Sequence, residues 1–299
     1  MALIAGPTAS GKSALAIEIA ERHRGVVINA DASQVYADLR ILSARPSAAD
    51  EARVPHCLFG HVDGADAGYS AARWAAEARG EIDAAHAAGL LPVLVGGTGL
   101  YLRTLIDGIA PVPPIATAIR AAIRALPVAE AHALLTLEDP AAAARLAPAD
   151  TTRVARALEV VRATGRPLAF WQQQRVGGIG ARVTLAAAVL LPPRDLLMDR
   201  IDRRAREMLA SGAIEEVAAL VARVDIPDDA PVRRAIGVAD LKALLAGTLD
   251  NAAVISRLQL ETRRYAKRQF TWFRNQSPEN WRQTTDSNDA KAYIATLLS

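Results

Sequence analysis

A chain of 299 residues with 51% apolar and 22% charged residues has enough apolar material for one large core or two smaller ones, which excludes an intrinsically disordered protein. Net charge is only +3, so any recognition of a polyanion has to come from local clusters of basic residues. The single Cys57 excludes an intramolecular disulfide framework and a multi-cysteine zinc site, and no apolar run approaches the roughly 18 residues of a membrane span, so a reducing, cytoplasmic setting without a membrane is expected.

Ala2 to Ala5 is an apolar run with strand character. Gly6, Pro7, Thr8, Ala9, Ser10, Gly11, Lys12 and Ser13 follow, filling every fixed position of the phosphate loop GxxxxGK[ST] where a signal peptide would otherwise sit. Ala14 to Ala20 then has high helix propensity, which completes the strand, loop and helix order that the motif needs and that a ligand-free glycine turn does not. In such a loop backbone N–H groups converge on phosphate oxygens at a helix N-terminus, Lys12 adds a full charge, and the Ser13 hydroxyl is placed to ligate Mg²⁺.

Val26 to Ala30 is a second strand ending at Asp31. Ser70 caps a helix with Trp74, Ala78, Ile82 and Ala85 at helical spacing, and Gly89 stops it. Leu91 to Val95 is a third strand, running into Gly96, Gly97, Thr98 and Gly99. Pro111, Pro113 and Pro114 break this rhythm, and a helical stretch follows to about Gly180. Within it the alanines 141–144 read as helix, and Asp150 caps a helix with Val154, Leu158 and Val161 on its apolar face, Gly165 at its end, and Arg153 close to Arg156. Val183 to Leu191 returns as a strand, and from Asp195 onward the pattern is helical, with Leu197, Ile201, Ala205 and Met208 setting the first period. The expected fold is α/β: a P-loop NTPase-like parallel sheet core over 1–110 and 181–299 with C-terminal helices, interrupted by a helical insertion over 111–180.

Four groups of residues carry candidate chemistry. Asp31 sits at the carboxyl end of a strand, where open parallel sheets bind ligands, and can act as a general base or hold Mg²⁺; a helix cap or turn former is the plainer reading. The glycines after the third strand stand where an ordinary nucleotide hydrolase has a metal-binding Asp. Thr262 to Arg274 packs five basic residues, four aromatics and no acidic residue into thirteen positions, which suits phosphate contact with base stacking on single-stranded RNA; a solvated helix face is the competing reading. Arg263, Lys267 and Arg274 are expected on one face of that helix, with Phe270 and Phe273 packed inward. Arg233 and Arg234 before Gly237 can pair with phosphate oxygens. His56, Cys57 and His61 complete no metal-site spacing.

Together these residues resemble the bacterial tRNA dimethylallyltransferase family, the tRNA isopentenyltransferases. The resemblance runs through GPTASGKS at 6–13, Asp31 with Gln34, Val35 and Tyr36, Ala44 to Pro46, Pro55 and His56, Tyr69 to Ala72, LVGGTGLY at 94–101, RVARALE at 153–159, RAIG at 234–237 and YAKRQFTWFR at 265–274. It implies transfer of a dimethylallyl group from dimethylallyl diphosphate to N6 of the adenosine 3′ of the anticodon, position 37, with Mg²⁺ as cofactor. It implies catalytic roles for Lys12, Asp31 and Arg234, a diphosphate held by Gly6 to Ser13, and a metal ligand in Ser13. It also implies contacts to a tRNA anticodon stem-loop from Asp31, Ala32, Ser33, Gln34, Thr98, Arg120, Thr152, Arg153, Val154, Ala155, Arg156, Arg234, Gly237, Lys267, Arg268, Gln269, Trp272 and Arg274. The 111–180 insertion would touch the tRNA, the adenosine would leave its stack, and a monomer is expected. The chain departs from the family pattern at Ala32, Ala37, Asp38, Leu42 and Val238, which puts a hydroxyl contact at position 32 and local RNA contacts at 37–38 in doubt. The alternative is a small-molecule P-loop kinase using ATP, which accounts for the N-terminal third but not for the basic aromatic helix.

Overall fold

Ala2–Ala5 carries no polar side chain and forms β1 with every residue buried, the pattern of a strand covered on both faces. The computed structural model describes residues 1–298, which pack as two units, Met1–Leu105 with the chain from Gly180 onward, and Ile106–Ile179.

In the first unit the phosphate loop leads from β1 into α1 (Lys12–Arg22), followed by β2 (Gly25–Asn29), α2 (Ala48–Arg53), β3 (His56–Cys57), α3 (Ala71–Ala87), β4 (Leu91–Gly96) and α4 (Gly99–Asp107). The second unit holds α5 (Thr117–Arg124), α6 (Val128–Glu138), α7 (Pro140–Arg145), α8 (Thr151–Thr164) and α9 (Leu168–Gln172). The chain then returns through β5 (Ala186–Leu190), α10 (Arg194–Ala210), α11 (Ala213–Ala222), a 3-10 turn at Pro231–Arg234, α12 (Val238–Leu245), α13 (Asn251–Gln276), β6 (Arg282–Thr284) and α14 (Ser287–Leu298).

The six strands are all parallel, in the order β3-β2-β4-β1-β5-β6. On one face Leu15, Ala16 and Ile19 of α1 and Ala290 and Ile294 of α14 close over Ala2, Ile4, Val27, Val93 and Ala188. Trp74, Ala78 and Ile82 of α3 are buried as their spacing predicts, and the Trp74 indole N–H donates to the Asn29 carbonyl at 2.8 Å. Ser70 caps α3 by accepting from the Arg73 amide, and Gly89 takes a left-handed conformation just past its end.

Two strands escape the sequence pattern. β3 is two residues long at one edge of the sheet, and β6 corrects the expectation that everything after Asp195 is helical. Arg282–Thr284 is polar and partly exposed, because an edge strand needs only backbone pairing, here with Ala188 to Leu190.

The insertion unit has its own core, in which Ile123, Leu135, Ala142, Val154 and Leu158 are buried together. Asp139 and Asp150 cap α7 and α8 through their side chains, and Gly165 ends α8 in the left-handed region. Ile109 and Val176 tie the two ends of this unit by exchanging backbone hydrogen bonds of 3.0 Å.

The register fixes where the loops emerge. Ala5 pairs with Gly96 and Asn29 with Val95, so β1, β2 and β4 end level with one another. A Cβ on Gly96 would lie 2.1 Å from the Ala30 carbonyl oxygen, which requires glycine at that crossing. Gly96→Ala is therefore expected to destabilise the protein by about 3 kcal/mol, since backbone, not a flexible side chain, must yield; a denaturant midpoint equal to wild type would refute this.

Candidate active site

A cavity of about 950 Å³ opens at this level of the sheet, within the first unit. Its walls include residues 8–13 of the phosphate loop, Asp31 to Gln34, Arg234 and Arg268. Residues far apart in sequence thus meet around one space, as the carboxyl edge of a parallel sheet arranges.

The phosphate loop starts where Gly6 leaves β1 at φ 154°, with a hypothetical Cβ 2.6 Å from the Leu190 carbonyl oxygen. Its shape is held from inside and outside. The Lys12 ammonium donates to the Pro7 carbonyl at 3.2 Å, Arg200 of α10 donates to the Ala9 carbonyl at 3.2 Å, and the Thr8 amide donates to Gln269 Oε1 at 2.8 Å. The Ser10 hydroxyl oxygen is buried without a hydrogen-bond partner.

Lys12 has its pKa lowered to about 8. Removal from water is the largest cause, the Asp31 carboxylate opposes it, and the Arg204 guanidinium adds to it. Arg204, from α10, also lines the cavity, and loss of water pulls its own pKa down. Ser13, at the start of α1, is exposed to the cavity.

Asp31 is buried and held by its neighbours. Its Oδ1 accepts from the Ser33 amide at 3.0 Å and the Ser33 hydroxyl at 2.7 Å. The fully buried Asn29 side chain accepts from the Asp31 amide at 2.8 Å and donates to the Asp31 carbonyl at 3.1 Å. Thr98 joins the next residue to the opposite loop, accepting from the Ala32 amide at 2.9 Å, and the Tyr265 hydroxyl shares a hydrogen bond with Thr98. Burial raises the pKa of all four cavity tyrosines, Tyr36, Tyr69, Tyr101 and Tyr265, so each keeps its proton.

The basic aromatic segment lies in α13, capped by Asp250. Lys267, Arg268 and Arg274 are exposed, Phe273 is buried, and Phe270 packs against Leu197, Ile201 and Ala266 with Arg194 over its ring. Arg263 departs from the expected basic face: its Nε donates to Asp202 of α10 at 2.9 Å. Gln269 is a second departure. Only 5% exposed, its side chain bonds to Thr8 and Gly97. Trp272 is half-buried beside Gly99, and Gly237 touches Leu42 and Leu258 at the start of α12.

In the insertion unit Arg120, Thr152 and Arg153 are exposed and Ala155 is half-buried. Val154 has no exposed surface; its position in the apolar stripe of α8 places it in the core, so its side chain is not available to RNA. Arg156 stands 3.6 Å from the buried Glu159 carboxylate, whose other oxygen accepts from Arg124 at 2.8 Å. Sequence reasoning missed Asn29, Arg200 and Arg204. The signal for Asn29 was a polar residue closing an otherwise apolar strand; the arginines carried none beyond their place on an amphipathic helix.

The family model for IPP transferase matches residues 34–276, and that for isopentenyl transferase matches residues 1–54. The chain belongs to the IPP transferase family. Within the wider set of relatives, the tRNA dimethylallyltransferase of Sphingopyxis alaskensis is 64% identical over 288 residues, 96% of this chain and 94% of that protein. The enzyme of the same name from Erythrobacter litoralis is 58% identical, over 94% of this chain and 90% of its own. Among solved structures, the full-length tRNA isopentenylpyrophosphate transferase of Bacillus halodurans has 33% identity and a TM-score of 0.71, covering 99% of this chain and 96% of that one. A eukaryotic dimethylallyltransferase captured acting on tRNA reaches 0.76 at 28% identity, covering 91% and 69%. The IPP transferase fold is thus the α/β, P-loop NTPase-like architecture described above.

The lowered Lys12 pKa sets a pH dependence. A bound anion favours the charged lysine, whereas the free protein loses that proton as pH rises through about 8. Affinity for inorganic pyrophosphate should therefore fall as pH rises through that value, with proton uptake on binding. Titration calorimetry in two buffers of different ionisation enthalpy checks this: Lys12→Met should abolish the excess uptake, and equal uptake in both proteins would remove Lys12 from the linkage.

Proposed function

We propose that this chain transfers the dimethylallyl group of dimethylallyl diphosphate to N6 of the adenosine 3′ of the anticodon, position 37, in tRNA. The observation that carries the reading is a cavity lined by both the phosphate loop and Asp31. A leaving-group site and a proton acceptor facing one space are what such a transfer needs, and this lining supports that reading. β4 ends in Gly96 and is followed by Gly97, where a nucleotide hydrolase would use a carboxylate on the metal of its triphosphate.

In the transfer the bond between N6 and the allylic carbon forms, the carbon–oxygen bond to diphosphate breaks, and the N6 proton passes to Asp31. Charge growing on the departing diphosphate is met by Lys12, Arg204, Arg234 and the loop N–H groups, which are aimed before the reaction starts. Ser33 holds the Asp31 carboxylate and Asn29 holds the Asp31 backbone, so the weak amine nucleophile is aligned without further reorganisation. Tyr101 and Tyr265, protonated and packed into the wall, help to exclude water from the reacting carbon.

Mg²⁺ suits this donor set: a hydroxyl at Ser13 beside diphosphate oxygens is the hard-oxygen environment it takes in phosphate sites, and when bound it would neutralise part of the diphosphate charge. Among the described residues no cluster of three or more His, Cys, Asp or Glu side chains offers a separate metal site.

The exposed Lys267, Arg268 and Arg274 of α13 are assigned to RNA phosphates, and Arg120, Thr152, Arg153 and Arg156 give the 111–180 insertion a second RNA-facing surface. Gln34 and Thr98 stand beside Asp31 for the extruded adenosine. A monomer is the proposed state, and no helix among the described residues is long and apolar enough to cross a membrane. The cytoplasm, where tRNA is modified, is the proposed setting.

Incubation with labelled dimethylallyl diphosphate and unmodified tRNA should label the RNA; transfer of the γ-phosphate of ATP to a small metabolite instead would favour the kinase reading. Asp31→Ala should lower turnover by ~10²–10⁴-fold, the range for loss of a general base, while tRNA binding persists. An unchanged rate would remove Asp31 from the chemistry. Replacing Lys267 and Arg268 by Ala should weaken tRNA binding and flatten its salt dependence, with each lost phosphate contact reducing the slope by about 1.

A further inference from the structure

The buried stripe of α13 runs Val254, Leu258, Ala266, Gln269, Phe273. One member is polar, and a buried amide persists only where its donor and acceptor are both satisfied. The Gln269 carbonyl oxygen accepts from the Thr8 amide at 2.8 Å, and its amide nitrogen donates to the Gly97 carbonyl at 2.9 Å. Thr8 lies inside the phosphate loop and Gly97 opens the loop after β4, so one side chain bridges the two loops that frame the cavity from β1 and β4.

Fixing Thr8 has consequences for its neighbours. The Thr8 amide turned toward Gln269 cannot point at a phosphate, and the next carbonyl, that of Ala9, is held by Arg200 at 3.2 Å. Ala9 itself sits at φ 62°, a left-handed conformation that a residue with a Cβ keeps only when its surroundings impose it. The strained turn that leads into the Gly11, Lys12 and Ser13 amides at the start of α1 is therefore clamped from α13 on one side and α10 on the other.

We infer that Gln269 is a positioning residue for the diphosphate-binding loop and not an RNA contact. This rests on the proposed transferase function for its consequence in turnover, but not for its effect on the loop. Tyr265 and Trp272 reinforce the assignment: one turn to either side of Gln269 they meet Thr98 and Gly99, so this face of α13 is an inner frame for the loops, while Lys267, Arg268 and Arg274 remain exposed.

The test uses the full-length protein and inorganic pyrophosphate as the probe, with tRNA binding measured separately in its absence. Gln269→Leu, which keeps bulk but loses both bonds, should weaken pyrophosphate binding ~10-fold or more and raise KM for dimethylallyl diphosphate, while tRNA affinity stays within about twofold. Gln269→Glu gives a signature that simple destabilisation would not. As a neutral acid it still accepts from Thr8 and donates to Gly97, whereas ionised it faces the Gly97 carbonyl with a negative oxygen. Its pyrophosphate affinity should approach wild type at low pH and fall away from it as the carboxyl ionises. If tRNA affinity collapses while pyrophosphate binding holds, Gln269 is an RNA contact and the inference is wrong. Pyrophosphate binding equal to wild type in both variants would overturn it equally. Failure of the wild-type protein to prenylate RNA, with the pyrophosphate results as expected, would refute the proposed function and leave the clamp standing.

Discussion

The level ending of β1, β2 and β4 is the constraint from which the site follows. Parallel strands in matched register deliver their carboxyl ends to one edge, and there the chain leaves the sheet as the phosphate loop, the Asp31 turn and the Gly97–Gly99 loop. None of these segments has a regular ladder of hydrogen bonds, so each depends on side chains from elsewhere. Asn29 serves the Asp31 turn, Thr98 joins that turn to the β4 loop, and Gln269 joins the β4 loop to the phosphate loop. The outcome is a chain of buried hydrogen bonds around the cavity wall in which each loop is defined by its neighbour.

This arrangement places charge economically. Lys12, Arg204 and Asp31 share a poorly hydrated space, and it is chiefly this loss of water, with a smaller contribution from Arg204, that depresses the Lys12 pKa. A diphosphate entering such a site relieves repulsion as well as gaining contacts. Polyanionic RNA meets different cations, the solvent-exposed ones on α13, whose hydration and mobility suit a large and varied ligand.

Much of this was legible in the sequence because it is local. The phosphate loop, the Ser70 and Asp150 caps, the stripe of Trp74, Ala78 and Ile82, and Asp31 at a strand end are each encoded within a few turns of chain. What was not legible is set by tertiary pairing. Arg200 and Gln269 act on a loop 191 and 261 residues away, distances over which spacing carries no information. β6 is polar and short, and becomes a strand only because β5 presents a free edge. Val154 and Gln269 show the complementary lesson, since helical spacing placed both on buried stripes and burial decided what their side chains can do.

The central strand β1 is hydrogen-bonded on one side to β4 and on the other to β5, and the N-terminal ammonium reaches the Thr184 carbonyl at 2.9 Å. Synthesis therefore delivers half of this strand's partners early and the other half only after the entire helical insertion has been made. The insertion has a core contiguous in sequence, so all of that core's partners are made before β5, while the face of the sheet under α1 stays open until Ala290 and Ile294 emerge. The edge of β1, Ala2 to Ala5, thus stays unpaired in the nascent chain until β5 is made, and β5, β6 and α14 act as the closure that ends its exposure to other chains.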